Sequence, residues 1–510
     1  MAGRRAAGVW ATRRPSTPGT RGAAHRFLVP GLVFMGMVVA IVSSLGAPLI
    51  PTVAASYHIS LSDAQWMLTI VFLVSAVATP VMGRLSDGPR RRPTILAWLT
   101  VVAVGGILAA LPLGFGALLA GRACQGVGLG LTPLAITVAR DALPAERSRP
   151  TVALLSITTV AGVGLGYPIT ALIAQYGGLH AAFWFGAGVA AASLAVAAVV
   201  VPSSADRPAS HLDLPGAAML GTGLAGLLLA LSEGQDWGWG SPLLVVVAAG
   251  SLAVLAGWAL VELRHSHPLV ELRLLRSAVV LTADVTGVLA GVGMYLMLST
   301  VTRLVQTPVS SGYGLGGSIA VAGLMLTPFS AGSVAASSLT RVLLRRLPAG
   351  HILPLGAAVV LAGSAMLAFA RGSLWEIAVA MAVTGLGVGG VFGVMPGLIV
   401  GSVPSRETGS ALSFNQVLRY IGYSIGSVLS AVVLQAATAP GHALPAAGGY
   451  TTSGLVACGV WAVTAATALL LRWMLPERAA EPGREMAQLG IAEENELESV
   501  ADALHSEEGS

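Results

Sequence analysis

Apolar residues run along this chain in blocks of about 20, each closed by a short polar stretch, and a block of that length crosses a bilayer core as one α-helix. Fourteen blocks are legible, near 27–50, 64–83, 93–113, 116–138, 151–175, 180–201, 213–232, 242–262, 278–301, 317–339, 351–370, 373–400, 409–436 and 454–475. The two at 373–400 and 409–436 are long enough to predict tilt, or helix extending beyond the lipid.

The polar stretches set an orientation. With the N-terminus inside, 24 of the 28 basic residues fall on the cytoplasmic side. Arg303 and Arg371 are assigned to outer loops, and Arg122 and Arg419 lie within spans. Such asymmetry predicts that both termini face the cytoplasm, which requires an even number of spans. The N-terminal arginines Arg4, Arg5, Arg13, Arg14, Arg21 and Arg26 precede an apolar run as in a secretory signal. The run continues past Pro48 and Pro51 and further spans follow, so an anchor is expected rather than a cleaved leader. From Glu477 the chain carries ten acids and two arginines, predicting a disordered tail or a short amphipathic helix.

Composition narrows the class. The chain is 55% hydrophobic and 10% charged, with a mean hydropathy of +0.79, whereas a soluble domain carries about 25% charged residues. Lipid must be its main solvent. All 28 basic residues are arginine, which removes the lysine chemistry of P-loops and Schiff bases. The chain therefore does not hydrolyse ATP itself, and its composition suggests a GC-rich bacterial genome. Cys124 and Cys458 sit inside apolar runs as small hydrophobes.

Weak internal symmetry is visible, because the second helix of each half runs into an arginine-bearing loop, Arg84 to Arg92 and Arg341 to Arg346. The predicted organisation is an arginine-rich tail (1–26), a six-helix bundle (27–201), an inserted helix pair with linkers (202–276), a second six-helix bundle (277–476) and an acidic tail (477–510). Repeats of this kind place a substrate site between the halves near the midplane.

Chemistry concentrates in a few places. The loop after the second span reads Gly83-Arg-Leu85-Ser-Asp87-Gly-Pro-Arg90-Arg91-Arg92. Asp87 there can meet helix N-terminal amides and loop arginines together, and Gly83 lets two helices approach. Charge alone explains the loop equally well as positive-inside topology. The fourth span carries Arg122-Ala-Cys-Gln125-Gly126-Val-Gly128, and further positions stand out: Trp66, Phe72 and Pro80 in the second span, Gln306, Ala322-Gly323-Leu324 and Pro328, Gly385-Leu-Gly387-Val-Gly389, then Gly409, Asn415, Arg419, Gly422 and Gly426.

Taken together and in this order, these motifs resemble those of the major facilitator superfamily, and within it the fourteen-span drug:proton antiporters. The resemblance covers nearly the whole membrane region. It implies an all-α membrane protein of the major facilitator fold, two six-helix bundles plus two inserted central helices. It also implies a role for Arg122 in proton transfer or anionic contacts; pairing with backbone carbonyls or Gln125 is the structural alternative. Two departures matter. The acid such proteins carry before the proline matched by Pro51 is missing, the stretch reading Val42-Ser43-Ser44-Leu45-Gly46-Ala47. The fifth-span signature is displaced to Gly162-Val-Gly164-Leu-Gly166-Tyr-Pro168, which still predicts tight packing and a bend.

The one acid expected inside a span is Asp284, about eight residues beyond Arg276 and roughly 10–12 Å into the membrane. An Asp there costs about 2.5–3.5 kcal/mol, so it must face a cavity or a partner. Arg419 enters its span from the same side to a similar depth. A salt bridge between Asp284 and Arg419 is predicted, either a proton-released pair or a static one. Glu233 and Asp236, beside Trp237 and Trp239, are placed in an outer loop with the tryptophans as interfacial anchors. His58, His211, His265 and His267 lack metal-ligand spacing.

The expected function is export of small amphipathic organic compounds in exchange for protons by alternating access. The expected setting is a bacterial inner membrane, where the chain is a monomer using the proton gradient without cofactor, metal or nucleic acid and without enzymatic chemistry. Export of an endogenous metabolite and proton-coupled symport by the same fold remain alternatives. A non-transporting sensor or membrane enzyme would need an output domain or catalytic cluster, and the short loops hold neither.

Overall fold

The computed structural model describes residues 18–87, 91–144, 166–202, 213–265, 272–344, 346–400, 408–442 and 444–474, with 151, 155, 268, 269, 402 and 403. Residues 1–17, the acidic tail from 477, Gly162 and the Asp87 side chain, for which the sequence sets expectations, lie outside the described ones. Among the described residues there is no strand, and eleven helices are long and apolar enough to cross a membrane.

The helices are α1 (Pro18–Ser44), α2 (Ile50–Tyr57), α3 (Leu61–Asp87), α4 (Arg91–Ala110), α5 (Phe115–Gly126), α6 (Leu131–Ala142), α7 (166–177) and α8 (Leu179–Val200). There follow α9 (Leu214–Trp237), α10 (Pro242–Arg264), α11 (Ala278–Gln306), α12 (Ile319–Leu324), α13 (Thr327–Leu343), α14 (Ala349–Phe369), α15 (Leu374–Val400), α16 (Thr408–Ala436) and α17 (Ala447–Met474). Every expected span carries helix. Three expected spans are not among the eleven. In α1 the described apolar stretch is only Phe27–Val38. In the fourth span α5 and α6 are joined by a 3-10 stretch, Val127–Gly130, with helical dihedrals at both ends. The fifth is described only from 166 onward.

Packing sorts the helices. In the first half α1 lies on α6 and α8, α4 on α5 and α8, and α3 on α5. In the second, α11 packs on α16 and α17, α13 on α15, and α14 on α15 and α17. The inserted α9 and α10 pack on each other, and α9 also touches α3 and α16, which meet along the seam between the halves. The core sits at that seam. Buried residues make up 72% of the apolar stretch of α3 and of α11, against 17% for α10, which turns most of its surface outward.

Within each half, glycines let backbones meet. A Cβ at Gly385 would land on the Phe329 carbonyl, and one at Gly389 would lie 2.6 Å from the Ser333 carbonyl, so α13 and α15 cross in direct backbone contact. Gly422 and Gly426 do the same for α16 against the Val288 and Val292 carbonyls of α11. Across the seam, α7 of the first half comes close to α12 of the second. Gly166 is buried there, Pro168 lies in the first described turn, and the Tyr167 carbonyl would lie 2.8 Å from a Cβ at Gly323 of α12.

Candidate functional site

Arg122 is 0% exposed in α5. Its Nε donates to the Met67 carbonyl at 3.2 Å, and its Nη1 to the Val42 carbonyl at 3.2 Å and to Gln125 Oε1 at 2.8 Å. The pairing with carbonyls and Gln125 is therefore what the structure shows, and it ties α5 to α1 and α3. Gly126 makes the approach possible: a Cβ there would lie 2.5 Å from the Val71 carbonyl, and Ser75 Oγ donates to the Gly126 carbonyl at 2.7 Å.

Asp284 is 1% exposed, one helical turn before Gly287 in α11. The expected salt bridge to Arg419 is not formed. Oδ1 instead accepts from Asn415 Nδ2 at 3.0 Å, and Asn415 also donates to the Ala283 carbonyl at 3.3 Å. Arg419, one turn further along α16, donates to Gln416 Oε1 at 3.2 Å and Tyr423 Oη at 3.0 Å, and its guanidinium lies 3.7 Å over the Phe392 ring. The reason is rotational: a side chain at position 287 would meet Asn415 Nδ2 at 3.1 Å and the Arg419 stem at 3.4 Å. Gly287 thus admits both, Asn415 towards Asp284 and the Arg419 head towards Phe392.

Beside Arg419 lies an aromatic cluster of which only Phe72 stood out in the sequence. Phe72 of α3 meets Tyr295 of α11 edge-on at 4.4 Å and Tyr423 of α16 at 5.4 Å, with Tyr295 and Tyr423 at 4.7 Å. It spans both halves. The available signal was polar-tipped aromatics, Tyr295, Tyr420 and Tyr423, inside otherwise aliphatic spans.

The halves are joined across the seam by side-chain hydrogen bonds. Near mid-span, Tyr420 Oη donates to the Leu129 carbonyl in the Val127–Gly130 turn at 2.9 Å, and Ser424 Oγ to the Thr69 carbonyl at 3.3 Å. Further on, Gln65 Nε2 donates to Ser299 Oγ at 3.3 Å and Ser427 Oγ at 2.5 Å. Arg303 Nη2 donates to Gln65 Oε1 at 2.5 Å and the Leu61 carbonyl at 3.3 Å, and Gln306 Nε2 to the Pro48 carbonyl at 3.0 Å. These bonds run from mid-span to the end opposite the Arg84–Arg92 connection.

Arg303 is a correction to the outer-loop assignment. It lies in the last turn of α11, 5% exposed, docked on the other half. Glu233 and Asp236 likewise belong to the last turns of α9 rather than to a loop. Arg371 is in a connection as expected, where its Nη2 binds the Ala447 carbonyl at 3.1 Å and Thr451 Oγ1 at 2.7 Å and joins α14 to α17. Burial holds its guanidinium below the ordinary arginine range. Of the arginine-loop motif, Gly83 and Asp87 lie in the last turns of α3. Arg91 opens α4 and is buried, and Arg92 Nη2 donates to the Ala198 carbonyl of α8 at 2.5 Å.

The Major Facilitator Superfamily model matches residues 32–427 of this chain. The chain is 29% identical over 417 residues to an uncharacterized MFS-type transporter of Mycobacterium tuberculosis, covering 79% of this chain but 58% of that protein. It thus spans less than two thirds of that relative's length. It is 25% identical over 417 residues to the tetracenomycin C resistance and export protein of Streptomyces glaucescens, covering 78% of this chain and 74% of that one. It is also 25% identical over 422 residues to multidrug resistance protein 3 of Bacillus subtilis, covering 81% and 80%. The human organic anion transporter TETRAN superposes with a TM-score of 0.59 at 16% identity, covering 87% of this chain and 99% of that chain. A peptide transporter in complex with sulfate does so with a TM-score of 0.60 at 14% identity, covering 87% and 95%. At these identities the structural likeness is one of fold.

Proposed function

The chain belongs to the major facilitator superfamily, and from that premise we propose that it exports small amphipathic organic compounds in exchange for protons by alternating access. The observation that carries this reading is the seam. Side-chain hydrogen bonds join the two halves from mid-span to one end, and bonds of this kind suit a reversible closure between two bodies. We assign 27–201 and 277–476 as the two six-helix bodies, α9 and α10 as the inserted pair, and the arginine-rich end as cytoplasmic. In that frame the outer side is closed.

Asp284 is the proton carrier in this reading, because it is the one acid in the interior of a span among the described residues and its Oδ2 is buried without a hydrogen-bond partner. The arrangement fits a proton-responsive link: a protonated carboxyl gains a donor, and its bond to Asn415 re-forms with altered strength, shifting α11 against α16. The names of two relatives, the tetracenomycin C resistance and export protein and multidrug resistance protein 3, support organic compounds as cargo.

The test is reconstitution with a pH-reporting lumen. Substrate-evoked proton movement opposite to the compound supports antiport. Movement in the same direction replaces antiport by symport, and compound movement without protons removes proton coupling.

A further inference from the structure

The inserted helix α10 turns most of its surface outward and ends in a cluster of cations. Its 23 residues, Pro242–Arg264, rise about 34 Å, enough to cross a hydrocarbon core of roughly 30 Å. Arg264 therefore stands at headgroup level, in the last turn, with its side chain exposed. The chain then returns through a short 3-10 helix, Leu272–Arg276, which brings Arg273 to the same point. Arg273 Nη2 donates to the Leu263 carbonyl at 3.1 Å and the His265 carbonyl at 3.2 Å, the two residues that flank Arg264. Both arginines and His265 are exposed. Two acids of the same helix ends, Glu262 and Asp213, face the other way. Both are buried, and a Cβ at Gly216 of α9 would lie 3.2 Å from Glu262 Oε2 with Asp213 beside it.

Further into the bilayer, the face of α10 that carries Arg264 holds Val246, Gly250, Ala253, Gly257 and Leu260, all within about 40° of it at 3.6 residues per turn. Val246 and Leu260 are 68% and 57% exposed, Ala253 is exposed, and a Cβ at Gly250 would meet nothing within 4 Å. With Leu252 exposed on one side and Val254 and Val261 on the other, the small residues leave a shallow aliphatic strip. A strip of this kind leading to two guanidinium groups complements an acyl chain that ends in a phosphate. A second copy of this chain suits the face less well. Two copies in one membrane are related by an axis along its normal, so their α10 helices would run parallel and set Arg264 against its own counterpart.

We infer that the Arg264 face of α10 binds an anionic phospholipid, its phosphate received by Arg264 and Arg273 and one acyl chain laid along the strip. The chain runs from Leu260 to Gly250, roughly 15 Å or half the hydrocarbon core. Arg273 holds its place through the α10 carbonyls while it offers its charge, and His265 borders the headgroup. The site lies away from the seam, and the inference depends neither on export nor on proton coupling.

The test is native mass spectrometry of the full chain in detergent, titrated with dioleoylphosphatidylglycerol or with zwitterionic dioleoylphosphatidylcholine. Phosphatidylglycerol is expected to bind at least about tenfold more tightly. Arg264→Gln is expected to weaken it about fivefold, and the same change together with Arg273→Gln about 20- to 30-fold, with phosphatidylcholine moved less than about twofold. Arg264→Lys keeps the charge and is expected to stay within about twofold of the wild type. Arg264 is exposed at a helix end, so the single variants decide the question if loss of the Arg273 bonds disturbs α10. Equal affinity for the two lipids, or phosphatidylglycerol affinity unchanged in Arg264→Gln, overturns the inference. Displacement of the lipid by excess inorganic phosphate makes this a plain anion site and overturns the lipid assignment. A dimer that persists without lipid and is lost in Ala253→Leu gives the face to a second copy and overturns it as well.

Discussion

Asp284 is held by Asn415 at 3.0 Å, while Arg419, one turn along the same helix as Asn415, turns onto Phe392. Asp284 and Arg419 are therefore separable by mutation. Asp284→Asn is expected to lose pH-gradient-driven accumulation and to keep substrate counterflow, in which no net proton moves. Measuring both in the same vesicles checks this, and undiminished gradient-driven transport excludes Asp284 as the carrier. Asn415→Ala leaves the carboxylate without its donor and is expected to cost about 1–3 kcal/mol of stability, read as a lower Tm.

Gln65 bridges the halves, accepting from Arg303 and donating to Ser299 and Ser427. Arg303→Met keeps the length of the side chain and removes its charged donor. A charged hydrogen bond is worth about 1.5–3 kcal/mol, so the population open at that end is expected to rise by about 10- to 100-fold. Faster labelling of a cysteine at Ser299 by a membrane-impermeant maleimide measures it.

Gln306 and Pro48 meet across the same end, with Nε2 3.0 Å from the carbonyl. In a background without Cys124 and Cys458, the pair Pro48→Cys and Gln306→Cys is expected to be joined by a short bifunctional thiol reagent. Joining should stop transport, and reduction should restore it. Transport that continues while the link is intact shows that the seam need not open there.

Gly385 has no room for a methyl group beside the Phe329 carbonyl. Gly385→Ala is expected to force α13 and α15 apart at a cost of about 1–3 kcal/mol, seen as a lower midpoint of thermal aggregation. Gly393 in the same helix has open space around it, so Gly393→Ala should change stability by no more than about 0.5 kcal/mol and leave that midpoint in place.

The spans were legible because lipid selects for uninterrupted apolar blocks, and the close helix crossings because Gly385, Gly389, Gly422 and Gly426 recur one turn apart on faces that meet. What escaped was rotation and docking. Depth along a helix follows from counting residues, and it placed Asp284 and Arg419 at similar levels. Which way each points depends on the opposing helix, here on the gap at Gly287. Arg303 escaped for a related reason. A cation at the end of an apolar run reads the same whether it stands in water or is buried against Gln65 of the other half. The aromatic cluster draws Phe72, Tyr295 and Tyr423 from three helices, and sequence separation hides such a meeting until the chain is folded.

The Gly385–Phe329 and Gly426–Val292 crossings put main chain against main chain inside one half, whereas Gln65, Ser424 and Tyr420 reach over the seam with side-chain groups. The first kind of joint has no slack and no alternative partner. The second trades each bond for water at a net difference of about 0.5–1.5 kcal/mol. The molecule is accordingly stiff inside each half and softer along the stretch of seam that Gln65, Ser424 and Tyr420 join, so thermal energy is spent there before either shell deforms.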